Sequence, residues 1–188
     1  AEIATAAGVT RGAIYWHFAN KSDVFDALFE RAFAPLEERF AALHEELRRN
    51  PKVNPIDSMR GMALDFIGRV ISDPRYFRLV EISWHKCEYV GEMATIRDNH
   101  LECGNRHLTM AVESFRLAQE RGFLPASLDP RIAAMGMVAL IDGLVVNFTL
   151  EKSTFPLAGY APAILDAYLA GLNVAPPTLS ASLTTSAR

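Results

Sequence analysis

The chain has 188 residues, half of them hydrophobic, and a formal net charge of −3. A chain of this length buries roughly 70% of its unfolded surface, which is enough for one or two domains. The charge excludes a generally basic nucleic-acid binder, so any DNA contact must come from a local patch. The only cysteines, Cys87 and Cys103, exclude a disulfide framework and favour a cytoplasmic protein. No run of about 18 apolar residues or signal peptide is found in the sequence, so we expect no membrane segment.

Residues 8–21 have the pattern of a turn followed by a short helix. Gly8 stands where a helix ends in the left-handed conformation, and Thr10 is suited to cap the next helix. Ile14 and Phe18 lie one turn apart and are expected to face the core. We predict DNA contacts from the remaining side chains: Thr10, Arg11, Gly12, Ala13, Tyr15, Trp16, His17 and Lys21. Spacing alone does not distinguish this helix-turn-helix from another short amphipathic helix.

Residues 7–25 read Ala-Gly-Val-Thr-Arg-Gly-Ala-Ile-Tyr-Trp-His-Phe-x-Asn-Lys-x-Asp-x-Phe. This pattern closely resembles the TetR family of bacterial repressors. The resemblance implies an all-α fold with an N-terminal helix-turn-helix DNA-binding domain and a helical ligand-binding and dimerisation domain. It places residues 1–21 in the DNA-binding domain, whose first helix is missing from this sequence. It also implies a homodimer that binds palindromic operator DNA.

Residues 20–50 carry apolar side chains at three- and four-residue spacing, as one long amphipathic helix does. Asn20 or Ser22 is expected to cap this helix, and Pro35 to kink or divide it. In the family the equivalent element, residues 22–50 here, links the DNA-binding domain to the ligand-binding body.

The rest of the body, residues 51–173, is predicted to be helical as well. Its helices are expected over residues 56–72, 75–90, 93–121, 130–150 and 160–173. The second of these is apolar nearly all round, which is typical of a central helix. The tail, residues 174–188, is small and polar and is predicted to be disordered.

Glu81-Ile82, residues 85–93, Gly122-x-Leu124-Pro125 and Asp142-Gly143-Leu144 together resemble AcrR/TtgR-type repressors of multidrug-efflux operons. This resemblance implies release from the operator by a hydrophobic small-molecule ligand, with no cofactor. Candidate pocket residues are Met59, Met62, Phe66, Glu81, Trp84, Met110, Val138, Ile141 and Asp142. Plain core packing is the alternative for each apolar member.

Asp142 interrupts an otherwise apolar helix, where an ionised carboxylate is costly unless it is compensated. The spacing of Val138, Ile141 and Val145 around it predicts that it leans toward the subunit interior. The resemblance to AcrR/TtgR-type repressors implies a polar anchor for ligand amines or hydroxyls. A structural role, or a place on the dimer face, is the alternative.

The last two helices of each TetR-family subunit form a four-helix dimer interface. Here they carry small residues at three- and four-residue spacing, which let helices approach closely, with larger side chains around them. The predicted interface residues are Ala139, Gly143, Ile164, Tyr168 and Leu172. Packing within one subunit is the alternative.

Two other classes of function are enzymes and metal or redox sensors. The sequence has no Gly-rich phosphate loop, nucleophile motif or strand framework, so we expect no enzyme and no catalytic residue. His100, Cys103 and His107 fall on one face of a predicted helix, and zinc accepts such ligands, with His85 or Cys87 as a fourth. A metal- or redox-responsive transcriptional regulator is therefore the alternative function, although the AcrR/TtgR resemblance implies no metal.

Overall fold

The computed structural model describes residues 2–152 and 155–174, and every regular element within these ranges is an α-helix or a 3₁₀ turn, which confirms the all-α prediction. The α-helices are α1 (Glu2–Ala6), α2 (Arg11–His17), α3 (Lys21–Arg49), α4 (Pro55–Ser72), α5 (Pro74–His85), α6 (Ala94–Glu120), α7 (Pro130–Leu150) and α8 (Leu157–Gly171). A 3₁₀ turn, Gly91–Met93, precedes α6. Most of the predicted tail lies outside the described residues.

Side-chain caps explain where the long helices begin. The carboxylate or amide oxygens of Asn20, Asn54, Asp73 and Asp129 each accept a hydrogen bond from a backbone N–H of the first helical turn. Ser22 does not cap α3, because its hydroxyl donates to Oδ1 of Asn20 at 2.5 Å. α3 continues through Pro35 as one helix, so the proline does not divide it.

Two predicted boundaries were wrong. α5 ends at His85 rather than at residue 90. The hydroxyl of Tyr89 donates to the carbonyl of Ser83 at 2.8 Å, and Gly91 then turns the chain with a φ of 59°. α8 begins three residues earlier than predicted, at Leu157, whose side chain is fully buried.

The core lies where α3 to α8 meet. Fully buried side chains from these six helices include Leu47, Ile67, Val70, Tyr76, Phe115, Val145 and Leu165. Burying each large apolar side chain contributes about 1.5–3 kcal/mol, so this shared core holds the body together. α7 is also long and apolar enough to cross a membrane by length and composition. It packs against α4, α5, α6 and α8, and a core helix meets the same criterion.

Candidate functional site

A tight turn sets α2 against α1. Gly8 adopts a φ of 66°. Its N–H donates to the Thr5 carbonyl at 3.2 Å, while the Val9 N–H donates to the Ala4 carbonyl at 3.0 Å. These two bonds form a Schellman motif, which ends α1. The Thr10 hydroxyl then accepts a hydrogen bond from the Ala13 N–H at 3.2 Å and so caps α2, as the sequence predicted.

α2 exposes nearly all of its side chains. Ile14 and Phe18 are half-buried, whereas the eight predicted DNA-contacting residues are exposed. Trp16 is 84% exposed. The Arg11 guanidinium donates to the Tyr15 hydroxyl at 3.4 Å and lies 5.3 Å from the centre of the Tyr15 ring. α2 therefore presents a cation, a hydroxyl and small residues on one open face, which is the chemistry that phosphates and base edges require.

Most predicted ligand-binding residues point into the body. Met59 is buried, whereas Met62, Phe66, Met110, Val138, Ile141 and Asp142 are half-buried. Trp84 is the exception, since it is 52% exposed. The Glu81 side chain is 17% exposed and is bridged by Lys86 at 2.7 Å and by Arg78 at 2.9 Å. The hydrogen bond from Lys86 is the main reason that the pKa of Glu81 lies below its usual range.

An aromatic cluster in the interior was not predicted from the sequence. The ring centroid of Phe33 lies 4.0 Å from that of Phe29 and 4.2 Å from that of Tyr76, which also meets Phe66 at 6.2 Å. Tyr76 is 1% exposed, and burial raises the pKa of its phenol. α3, α4 and α5 thus meet through flat rings, which offer a large apolar surface.

Two carboxylates lie near His107 on α6. Oε1 of Glu37, on α3, is 2.7 Å from Nε2 of His107. Burial raises the pKa of Glu37, but the hydrogen bond and charge of His107 outweigh it, so the net pKa is low. Asp142, on α7, also interacts electrostatically with His107, yet burial keeps the pKa of Asp142 above its usual range. Asp142 is thus half-buried, and its surroundings favour the neutral carboxyl.

A groove of about 540 Å³ opens elsewhere, between α3 and α4. Its lining includes Pro35, Leu64, Asp65, Gly68 and Arg69, and none of the predicted ligand-binding residues belongs to it. An ion pair between Arg39 and Asp65 spans it at 2.8 Å. Met59, Met62, Phe66 and Ile141 belong to the core or pack against it instead.

Two family models match the chain. The model of the tetR family of bacterial regulatory proteins matches residues 1–28, and that of the C-terminal region of MAATS-type transcriptional repressors matches residues 54–174. The chain belongs to the TetR family of transcriptional regulators.

Two relatives of this TetR-family chain are transcriptional regulators by name. It is 36% identical over 180 residues to the HTH-type transcriptional regulator TtgR of Pseudomonas putida, covering 94% of this chain and 82% of TtgR. It is 34% identical over 172 residues to the HTH-type transcriptional regulator AcrR of Shigella flexneri, covering 89% of this chain and 78% of AcrR.

Two solved structures have the same fold. NalD, the secondary repressor of the MexAB-OprM multidrug efflux pump in Pseudomonas aeruginosa, superposes with a TM-score of 0.73 at 29% identity, covering 91% of this chain and 84% of NalD. SmeT in complex with triclosan superposes with a TM-score of 0.70 at 25% identity, covering 96% of this chain and 86% of SmeT. SmeT is described as the repressor of the Stenotrophomonas maltophilia multidrug efflux pump SmeDEF.

The last two helices of this TetR-family chain carry an exposed apolar stripe. On α7, Ile132 is 67% and Met135 61% exposed, and Ala139 and Gly143 continue the stripe at four-residue spacing. The α8 residues Ile164, Tyr168 and Leu172 are only half-buried, yet they pack against their own subunit's core. Among the predicted interface residues, Ala139 and Gly143 are therefore the more open to a partner.

The histidines of the metal alternative do not come together as predicted. Nδ1 of His100 lies 3.1 Å from the Tyr89 hydroxyl, and Nε2 of His85 lies 3.0 Å from the Thr149 hydroxyl. Among the described side chains, Glu37, Cys103 and His107 form the group whose ligand atoms lie close enough together to hold a metal ion. Glu37 thus takes the position that the sequence assigned to His100.

Proposed function

We propose that this TetR-family regulator is a cytoplasmic homodimer that represses a multidrug-efflux operon and leaves its operator when a hydrophobic drug-like ligand binds. The observation that carries the proposal is the exposed face of α2, which is positioned by a Schellman turn and a threonine cap. The efflux functions of NalD and SmeT suggest the class of operon.

α2 is proposed to enter the major groove. Arg11, at its N-terminal end, is placed to reach base edges, whereas Lys21, at the start of α3, is suited to a phosphate. Trp16 offers a large exposed ring that duplex DNA would cover. A two-fold dimer would place two such helices in successive major grooves, about 34–36 Å apart.

The ligand is proposed to bind between α4, α6 and α7, near Met62, Phe66, Met110, Ile141 and Asp142. These side chains are half-buried, so a modest movement of the helices would open space among them. Thioether and aromatic side chains adapt to varied apolar shapes. Triclosan, which SmeT binds, is such a molecule and is a suitable first probe.

The linker helix α3 is proposed to carry the signal. Only Phe18, Ala19 and Asn20 separate it from α2, and the pair of Glu37 and His107 joins it to α6 at 2.7 Å. A ligand that fits only one arrangement of α6 and α7 would shift the population of α3 positions, and with it the separation of the two α2 helices. The coupling is reciprocal, so operator DNA should weaken ligand binding by the same factor.

Fluorescence anisotropy tests this function. The protein, with its complete helix-turn-helix domain, is titrated onto labelled DNA from upstream of its own gene and of neighbouring transporter genes. We expect saturable binding that a panel of hydrophobic compounds, including triclosan, reverses. Binding no tighter than to unrelated DNA would contradict repression at these sites. Specific binding that no compound in a broad panel reverses would contradict the ligand response alone.

A further inference from the structure

Three side chains of metal-ligand type meet between α3 and α6. Oε1 of Glu37 lies 2.7 Å from Nε2 of His107 and 3.8 Å from Sγ of Cys103. All three ligand atoms lie within 4.8 Å of one another. Cys103 and His107 are four residues apart on α6, so successive turns of that helix present them to α3.

This set of donors selects one class of ion. Calcium and magnesium prefer oxygen ligands only, whereas a thiolate, an imidazole and a carboxylate together suit zinc and its neighbours. In a tetrahedral zinc site the ligand atoms lie about 3.3–3.7 Å apart, given metal–ligand bonds of about 2.0–2.3 Å. The separation of Glu37 and Cys103 is already close to this range. Glu37 and His107 would have to part by about 0.6–1 Å. Cys103 and His107, which lie within 4.8 Å, would have to approach by no more than about 1.5 Å.

A buried hydroxyl beside the cluster points to a ligand as well. Tyr76 is 1% exposed, and its hydroxyl has no hydrogen-bonding partner within the described part of the chain. The Tyr76 ring packs 4.2 Å from that of Phe33, which lies one turn before Glu37 on α3, so the phenol lies against the side of α3 that carries Glu37. Buried hydroxyls almost always have a partner. A water bound to a metal at this point would supply one.

We propose that Glu37, Cys103 and His107 bind one divalent transition-metal ion of the zinc class, with a water molecule as the fourth ligand, hydrogen-bonded to Tyr76. Binding releases the Cys103 proton to solvent. The proton on Nε2 of His107 also leaves, to solvent if the imidazole is charged or to Nδ1 by tautomerisation if it is neutral. Two metal–ligand bonds then replace the hydrogen bond between Glu37 and His107. The ion would tie the linker helix α3 directly to α6. The site uses Glu37 in place of His100, and it does not depend on the proposed response to drugs.

Cobalt(II) is the probe, because a cobalt–thiolate bond gives a charge-transfer absorption in the near ultraviolet and tetrahedral cobalt gives strong visible bands. The untagged, reduced protein should bind one equivalent and show both features, and zinc should then displace the cobalt. Cys103→Ser should lose the charge-transfer band. Cys87→Ser is the matched control and should keep it, since Cys87 is the only other cysteine.

Two further variants separate this site from a site on one helix face. Glu37→Gln should weaken cobalt binding at least tenfold, whereas His100→Gln should leave the spectrum and the affinity unchanged. A folded protein without a charge-transfer band overturns the proposal, and so does a band that survives Cys103→Ser. Loss of the band in His100→Gln, with Glu37→Gln unaffected, overturns it in favour of the helix-face set. Circular dichroism checks that each variant is folded. If a variant does not fold, the cobalt absorption spectrum of the unmodified protein decides the proposal.

Discussion

The guanidinium of Arg121 holds the C-terminal end of α3, because its Nη2 donates to the carbonyl of Leu47 at 2.6 Å. Nη1 of the same side chain donates to the carbonyl of Val53 at 2.7 Å. Arg121 follows the last residue of α6, so one side chain fastens the end of the linker helix to the end of α6. The last carbonyls of a helix have no partner within it. A cation at this end is also attracted by the partial negative charge of the helix dipole.

Arg121→Ala should therefore lower the free energy of unfolding by about 2–3 kcal/mol, because it leaves half-buried carbonyls without a donor. Arg116→Ala is the matched control. Arg116 is exposed and pairs with Glu120 one turn away on α6, so its loss should cost less than about 0.5 kcal/mol. Urea denaturation of both variants measures the difference. Equal effects would show that Arg121 has no special role.

Close contact between α7 and α8 depends on Gly136. A Cβ at this position would lie 2.6 Å from the Tyr168 hydroxyl, which donates to the Ala133 carbonyl at 2.6 Å. Gly136→Ala should displace Tyr168 and cost about 1–3 kcal/mol of stability. Gly61→Ala on α4 meets nothing within 4 Å and should be neutral or stabilising by up to about 1 kcal/mol. A stabilising Gly136→Ala variant would contradict this packing.

Gly143 tests the proposed dimer. A Cβ there meets nothing within 4 Å inside the subunit, so Gly143→Leu should leave the monomer fold intact. If the exposed stripe of α7 packs against a partner, the larger side chain should separate the two copies. Light scattering should then report a shift from dimer toward monomer. Gly104→Leu, at an exposed position on α6, should leave the dimer unchanged. An unperturbed Gly143→Leu dimer would exclude this interface.

The raised pKa of Asp142 predicts that this residue makes the protein less stable as the pH rises, the reverse of the effect of a carboxylate in an ion pair. Burial raises its pKa in the folded protein above the unfolded value of about 3.9, so folding disfavours the charged form. Stability should fall as the pH rises through the folded-state pKa. Asp142→Asn should therefore unfold at higher urea than the parent at pH 7, and this advantage should shrink toward pH 4. Asp98→Asn, at an exposed position, should differ little at either pH. An Asn variant less stable at pH 7 would mean that the charge is compensated.

The same variant tests the proposed ligand anchor. If Asp142 holds an amine, Asp142→Asn should weaken the binding of cationic ligands about tenfold or more, a loss of at least about 1.4 kcal/mol. Isothermal titration calorimetry measures this, with uncharged ligands as the control. Intact ligand affinity together with loss of the dimer would assign Asp142 to the interface instead.

The sequence predicted local structure well where a single residue type determines it. Gly8 and Thr10 fix helix ends through their own backbone or side-chain geometry, as expected, and Asn20 is the one of two predicted candidates that caps α3. α5 was predicted too long because the bond that helps end it comes from Tyr89, which lies beyond the helix. Apolar periodicity contains no information about such a contact.

Pairings between helices were the part that the sequence did not reveal. The spacing of His100, Cys103 and His107 suggested one set of ligands, but only the packing of α3 on α6 brings Glu37 to the last two. A signal was present, because Glu37 falls four residues after Phe33 and three before Phe40, on the apolar stripe of α3. Trp84 was predicted to line the ligand pocket because of its flat aromatic side chain, yet it lies at the surface. Composition does not say which side of a nearly all-apolar helix faces outward.

Selection of bound DNA from a random library tests the central claim most directly, because the operator sequence need not be known. The protein with its complete helix-turn-helix domain should enrich an inverted repeat with half-sites one helical turn apart, or a multiple of this. Arg11→Ala should enrich a different sequence. Lys21→Ala should keep the sequence, bind it more weakly and lower the slope of its salt dependence by about one, whereas Lys52→Ala, in the turn after α3, should match the parent. Recovery of no symmetric sequence, or unchanged selection and affinity in both the Arg11 and Lys21 variants, would contradict DNA recognition through α2.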